Sequence, residues 1–228
     1  MVERVSAVYT TRLGGVSETP FDELNVSNSV GDGLHRVLAN RDLAGRAIDR
    51  GPWWSTVKQV HGSDVVVAHP IARGPAGRNR EADAHWTEDD EATLAVLSAD
   101  CVLVLAVGDS RCGVAHAGWR GIVAGVVENI VRETQARQVF LGPAIGPCCF
   151  EVGAEVTAEF RLRAPASVTD DRHVDLWVAA EEAARGAGAT DVAAARLCTS
   201  CHEPLFFSHR RDKGSTGRQA LLARLRGD

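Results

Sequence analysis

The stretch from Leu94 to Val131 constrains the fold most, because its hydrophobic period changes midway. Leu94–Leu97, Val102–Val107 and Gly113–His116 are near-continuous apolar runs of strand length, as expected of strands covered on both faces. Directly after them, Ile122, Val123, Val126, Val127, Ile130 and Val131 recur at the spacing of one helical face. That spacing predicts a helix beginning near Gly121. Buried strands in adjacent runs, with an amphipathic helix at their end, require helices packed on a sheet. They do not fit the strict alternation of a doubly wound fold, so the class expected is mixed α+β.

The same reading predicts further strands at Ser55–Val60, Val65–Ala68, Gln138–Leu141, Ala194–Cys198 and Leu205–Ser208. Helices are predicted over 34–49, 152–162, 174–186 and 217–226. The Thr-, Gly-, Ser- and Pro-rich stretch from Tyr9 to Val26 reads as an irregular loop, and 69–82 as a mobile surface loop. At 228 residues with 45% hydrophobic and 24% charged residues, the chain has the balance of an ordinary globular protein, so one domain over 1–228 is expected.

Charge narrows the partners. A net charge of −5, with pI near 5.9, argues against a surface for polymeric nucleic acid. The amino end has no apolar h-region, which predicts a cytoplasmic protein. The apolar run from Leu94 to Val107 is broken by Asp100 and is too short to cross a bilayer of about 30 Å as a helix. No membrane association is expected, and with no apolar stripe marking an interface, a monomer is preferred.

Six cysteines in such a chain read as thiols, metal ligands or catalytic groups rather than a disulfide framework. His61, Cys101 and His116 each lie where a strand meets a turn or a run of small residues, so their side chains can converge. Two imidazoles and a thiolate make a zinc donor set, and three protein ligands leave a fourth tetrahedral position open, as in catalytic sites. Spacing alone leaves open the plainer reading, two satisfied core histidines and a packed thiol.

The sequence also contains, in order, Lys58-Gln-Val-His-Gly, Ala99-Asp-Cys, His116-Ala-Gly-Trp-Arg-Gly, Gly142-Pro-Ala-Ile-Gly-Pro-Cys-Cys-Phe-Glu-Val-Gly and Phe207-Ser-His-Arg-Arg-Asp. These motifs resemble the purine nucleoside phosphorylase family formerly labelled multicopper polyphenol oxidase, or laccase-like. The likeness runs from Thr11-Arg-Leu-Gly-Gly-Val-Ser through Thr216-Gly-Arg. It implies a mixed β-sandwich flanked by helices and a catalytic zinc on His61, Cys101 and His116. It further implies phosphate-dependent cleavage of purine nucleosides and hydrolytic deamination of adenosine, and some members are linked to editing of peptidoglycan precursors. His85 and His209 stand where members of the family more often carry an aliphatic residue and Tyr.

For binding nucleoside and phosphate, Arg211 is the favoured cation, with Arg120 and Arg210 beside it, and Asn25, Lys58 and Gln59 are expected to line the pocket. Each arginine has the plainer alternative of a solvated or paired surface group. Asp100 would orient a ligand His or cap nearby amides. Gly118 and Gly121 would present helix N–H groups to an anion or simply pack closely, and Gly142–Gly146 would form a pocket wall or a rigid turn.

Other signals carry less. Cys198-Thr-Ser-Cys-His matches a haem-attachment pattern; a second metal site or redox pair is the alternative, and two ordinary thiols are preferred. Cys148 and Cys149 read as packed thiols, and His35, His69, His85 and His173 as surface or loop histidines. With eight histidines in no His-x-His pair and Met1 as its single methionine, the chain is a poor copper oxidase. Two further functions stay open: a cysteine-dependent amide hydrolase using Cys101 as nucleophile, and a non-catalytic, zinc-containing binding protein.

Overall fold

The computed structural model describes residues 4–70 and 80–227. Most of the loop expected over 69–82 lies outside them. Among the described residues, nine strands and five α-helices follow in chain order: β1 (Val5–Tyr9), α1 (Leu34–Arg46), β2 (Val65–Val67), β3 (Ala84–Thr87), β4 (Leu94–Ser98), β5 (Val102–Val107), β6 (Cys112–Ala117), α2 (Trp119–Ala124), α3 (Val126–Thr134), β7 (Gln138–Leu141), α4 (Ala154–Arg163), α5 (Leu176–Gly186), β8 (Asp191–Ala194) and β9 (Gln219–Leu225).

The strands form two sheets. The larger has the order β2-β3-β6-β5-β7-β8 and is mixed, with parallel pairs at both edges and antiparallel pairs between. The smaller, β1-β9-β4, is antiparallel. The two-residue period of a strand explains how they stack. Leu103, Leu105 and Val107 of β5 meet Leu94, Val96, Leu221, Ala223 and Leu225 of the small sheet in one apolar cluster. Val102, Val104 and Ala106, on the opposite face of β5, pack with Val126, Val127, Ile130, Phe160, Leu176 and Trp177 of the helices. On the outer face of the small sheet, Ala95, Ala220 and Leu222 meet Ala44 of α1, Ile48 and Trp54. The result is a single-domain mixed β-sandwich with α1 on one side and α2–α5 on the other.

Several expected elements change. The helix expected from near Gly121 starts at Trp119 and is broken at Gly125, whose φ of 94° ends α2 in a left-handed turn before α3. The segment 217–226, rich in helix-forming Ala, Leu and Arg, is the central strand of the small sheet. Pairing with β1 and β4 on both edges, together with burial of both faces, outweighs its helical propensity. The strand expected at 194–198 lies instead at β8, sharing only Ala194.

Neither Ser55–Val60 nor Leu205–Ser208 is a strand. The first makes isolated bridges from Ser55 to Leu94 and from Lys58 to Glu81. In the second, the Gln219 side-chain amide takes the place of a neighbouring strand, accepting from Phe207 N at 3.0 Å and donating to Phe207 O at 3.2 Å. β1 and β3 had no counterpart in the sequence reading. No helix among the described residues is long and apolar enough to cross a membrane.

Candidate metal centre

His61, Cys101 and His116 reach one point from three parts of the chain. His116 lies near the end of β6, opposite Leu103, so its ring points to the side of the sheet that faces β1, β9 and β4. Cys101 directly precedes β5, after Asp100, whose φ of 97° turns the backbone sharply. A non-glycine residue there costs about 1–3 kcal/mol, and the Asp100 carboxylate holds it in place. It accepts from Thr199 Oγ1 at 2.6 Å and from Arg210 N at 2.7 Å. Asp100 therefore caps amide and hydroxyl donors, and it is Asp83 that orients His116.

Asp83 is fully buried. One carboxylate oxygen lies 2.9 Å from His116 Nδ1, and the carboxylate accepts backbone N–H bonds from Val60, His61 and Gly62 at 3.0, 3.0 and 2.7 Å. A single side chain thus fixes the His116 ring and clamps the turn carrying His61, which itself has a φ of 62°. With Nδ1 engaged, the remaining ring nitrogen of His116 is its available donor, the arrangement that a carboxylate hydrogen-bonded to the far side of the ring gives metal-binding histidines. The His61 and His116 rings sit edge to face with centroids 4.8 Å apart, Cys101 Sγ is 4.0 Å from His61 Nε2, and one donor atom from each of the three residues lies within 4.8 Å of the others.

Electrostatics ties the group together. Burial pushes the Cys101 thiol up, but the positive charge and hydrogen bonding of His116, then of His61, bring it down to about 6. Burial likewise disfavours the His116 cation, yet the Cys101 thiolate and Asp83 raise it to about 9. Asp83 is held below the usual carboxylate range, because His116 and the N–H groups of Gly62 and Val60 overcome its desolvation. Gly118 is needed for the close approach: a Cβ there would lie 2.8 Å from His61 Cδ2 and 2.9 Å from Cys101 Sγ. At Gly121 a Cβ would meet Gly62 O at 3.0 Å. Both glycines thus serve packing, and α2, with six residues, is too short to form an anion site.

The three donors border a cavity of about 660 Å³ at the end of the sandwich, where Leu97 and Ser98 close β4. Its wall carries the cations Arg41, Arg210 and Arg218, the hydroxyls of Ser27 and Ser29, the imidazole of His209, and the apolar faces of Trp119, Ile145 and Phe150. Ile145 makes the Gly142–Gly146 segment a pocket wall. Burial lowers the Arg218 pKa, with Asp100 and Cys101 acting in the opposite direction.

The expected substrate residues divide. Lys58 and Gln59 line the cavity, but Lys58 Nζ is 2.7 Å from Glu81, and both ends of the Gln59 amide are bonded to Leu97 O and N. Asn25, Arg120 and Arg211 are not among the cavity-lining residues. Asn25 is buried, holding Ser27, Asp32 and Arg218 N; Arg120 stacks on Trp119 with its guanidinium 4.2 Å from the ring centre. Arg211 turns inward to the carbonyls of Thr199 and Phe206 and to Asp212. Sequence reasoning missed Asp83, which lies between Ala82 and Ala84, two residues after Glu81, with nothing local to set it apart. It also passed over Arg218, the last residue of Thr216-Gly-Arg, and Arg41, on the buried face of α1.

Residues 6–226 match the model of a family described as multi-copper polyphenol oxidoreductase laccase. This chain belongs to that family. A relative in Escherichia coli (strain K12), purine nucleoside phosphorylase YfiH, is 37% identical over 232 residues, covering 95% of this chain and 92% of that one. Purine nucleoside phosphorylase SCO2081 of Streptomyces coelicolor is 38% identical over 231 residues, covering 93% and 92%. Among solved structures, YlmD from Geobacillus stearothermophilus superposes with a TM-score of 0.88 at 34% identity over 99% of this chain and 93% of that one. Protein NMB0706 of Neisseria meningitidis gives 0.87 at 32% identity, covering 99% and 96%. The family's mixed-sheet fold is therefore shared over almost the whole chain.

Proposed function

We propose that this chain is a zinc-dependent purine nucleoside phosphorylase that also deaminates adenosine, acting as a cytoplasmic monomer. The observation that carries this reading is the convergence of His61, Cys101 and His116 at the edge of a cationic cavity large enough for a nucleoside with phosphate. The names of the family's relatives in E. coli and S. coelicolor support the same substrate class.

The donor set fits zinc: two imidazoles and a thiolate, one imidazole backed by a buried carboxylate, with a neighbouring cavity in place of a fourth protein ligand. Copper of the blue type uses two imidazoles and a thiolate with a weak axial ligand that is most often a thioether, and the sequence has no internal methionine. A zinc ion held there would supply Lewis acidity at the cavity edge. The chain's own groups do the rest. Arg218 and Arg41 bring positive charge to phosphate, and their contacts with the carbonyls of Thr216, Gly217 and Val26 keep them in place. Trp119, Ile145 and Phe150 offer apolar surface to the purine.

In phosphorolysis a phosphate oxygen bonds to the anomeric carbon as the bond to the purine nitrogen breaks, giving ribose 1-phosphate and free base. In deamination, water replaces the amino group at C6 and ammonia leaves. Product analysis with and without phosphate separates the two: adenosine should yield adenine only with phosphate present, and inosine in either case. Absence of both products from zinc-loaded protein would refute the proposal.

A second reading has its own observation. Without metal, Asp83, His116 and Cys101 form a carboxylate–imidazole–thiol chain with the thiol held near 6, the arrangement of a cysteine nucleophile and its base. An acyl-enzyme trapped on Cys101 from an amide substrate would favour that hydrolase.

A further inference from the structure

Four cysteines outside this centre meet at a second point. Cys148 and Cys149 come from the loop after β7, and Cys198 and Cys201 from the turn after β8. A parallel bridge between Ala144 and Cys198, with Thr199 N donating to Ala144 O at 2.9 Å, fastens the two segments side by side. Cys201 Sγ lies 3.5 Å from Cys148 Sγ and 3.4 Å from Cys149 Sγ, and the four sulfurs are all within 4.8 Å of one another. A disulfide requires about 2.05 Å. Sulfurs at the corners of a tetrahedron with metal–sulfur bonds of ~2.3 Å stand about 3.8 Å apart, a spacing that lies between the 3.4 and 3.5 Å contacts of Cys201 and the 4.8 Å limit of the group.

We propose that Cys148, Cys149, Cys198 and Cys201 form a closed four-thiolate site for zinc, separate from the His61, Cys101 and His116 centre. The backbone supports the charge such a site acquires: Gly146 N donates to Cys198 Sγ at 3.2 Å. His202, the last residue of the Cys-x-x-Cys-His run, has Nδ1 2.9 Å from Cys198 O and is not among the residues whose donor atoms meet at this point, which are sulfur alone. Four sulfur ligands and no open position are the mark of a structural zinc. Cys148 and Cys201 are exposed, which gives the ion a route in. Binding releases the thiol protons to solvent and changes no oxidation state.

The site's position gives it a purpose. Ile145 and Phe150, on either side of the Cys148–Cys149 pair, line the cavity. Thr199, between the other two ligands, donates to Asp100 beside Cys101, and Arg210 on the cavity wall donates to the carbonyls of Cys149 and Glu151. An ion here ties together the segments that hold one wall of the cavity and the turn leading into Cys101.

Full-length protein with His61, Cys101 and His116 all replaced by Ala, loaded with zinc and freed of excess, tests the site. The expected result is about one zinc per chain, with X-ray absorption showing sulfur neighbours alone at ~2.3 Å. The complementary Cys148→Ser/Cys201→Ser protein should lose that ion and retain one with mixed nitrogen and sulfur neighbours. Should either variant fail to fold, wild-type protein answers the same question: about two zinc ions per chain with sulfur outnumbering nitrogen. A folded triple-Ala protein without zinc would overturn the proposal. So would wild-type protein with a single nitrogen-rich zinc, or a mass and thiol count showing Cys201 in a disulfide with Cys148 or Cys149.

Discussion

At the residue scale, the candidate metal centre depends on side chains that a reading of ligand types passes over. Asp83 serves one imidazole and three backbone amides at once, so Asp83→Ala should weaken zinc binding by roughly 10–100-fold, measured by competition with a chelator. Gly118→Ala places a methyl group against both His61 and Cys101. It should lower zinc affinity while leaving the circular dichroism spectrum intact. His85 gives a pH signature. It is fully buried with Nδ1 unpartnered, and desolvation lowers its pKa to about 4, the Ser55 carbonyl opposing this. Below about pH 6.5 the unfolded chain binds a proton that the folded chain refuses, so stability should fall by about 3 kcal/mol as pH drops from 6.5 to 4. His85→Leu should flatten that limb in urea titrations at successive pH values; an unchanged slope would place the acid sensitivity elsewhere. The sequence marked the three donors through the motifs that carry them, since their residue types and spacing alone fit two core histidines and a packed thiol equally well. It could not mark Asp83 or the buried place of His85, which had read as a surface or loop histidine, since both depend on β3 lying beside β6.

At the scale of elements, legibility followed period and burial. The hydrophobic runs of β4, β5 and β6 and the apolar faces of α1 and α3 stood out because one force, burial of a regular face, dictates both pattern and structure. β9 did not, since Gln-Ala-Leu-Leu-Ala-Arg-Leu carries helix formers and no β-branched residue. Its place between β1 and β4 is a tertiary effect. Leu221 is fully buried between the sheets, so Leu221→Ala should cost about 2–5 kcal/mol in denaturant unfolding. A loss below about 1 kcal/mol would mean that the two sheets do not bear on each other at β9. The motif segments at Lys58–Gly62 and Phe207–Asp212 read as strand or turn by composition. They instead owe their form to side chains such as Gln59 and Gln219, which bond the backbone of distant segments.

At the scale of the whole molecule, the fold brings the end of the sandwich, the amino end of β5, the end of β6 and the segments after β7 and β8 around one cavity. The residues converge from positions as distant as Ser27 and Arg218, so no local pattern could have outlined its wall, although the donor set at its edge was legible. If His61, Cys101 and His116 hold zinc and nucleoside turnover requires it, metal and activity must be lost together. The most direct test measures zinc content and products from adenosine with phosphate, for wild-type protein and for Cys101→Ala under identical loading. Cys101→Ala, folded as judged by circular dichroism, is expected to hold about one zinc fewer per chain and to form neither adenine nor inosine, whereas wild type forms both. Full turnover by Cys101→Ala, or zinc content unchanged by the substitution, would contradict it.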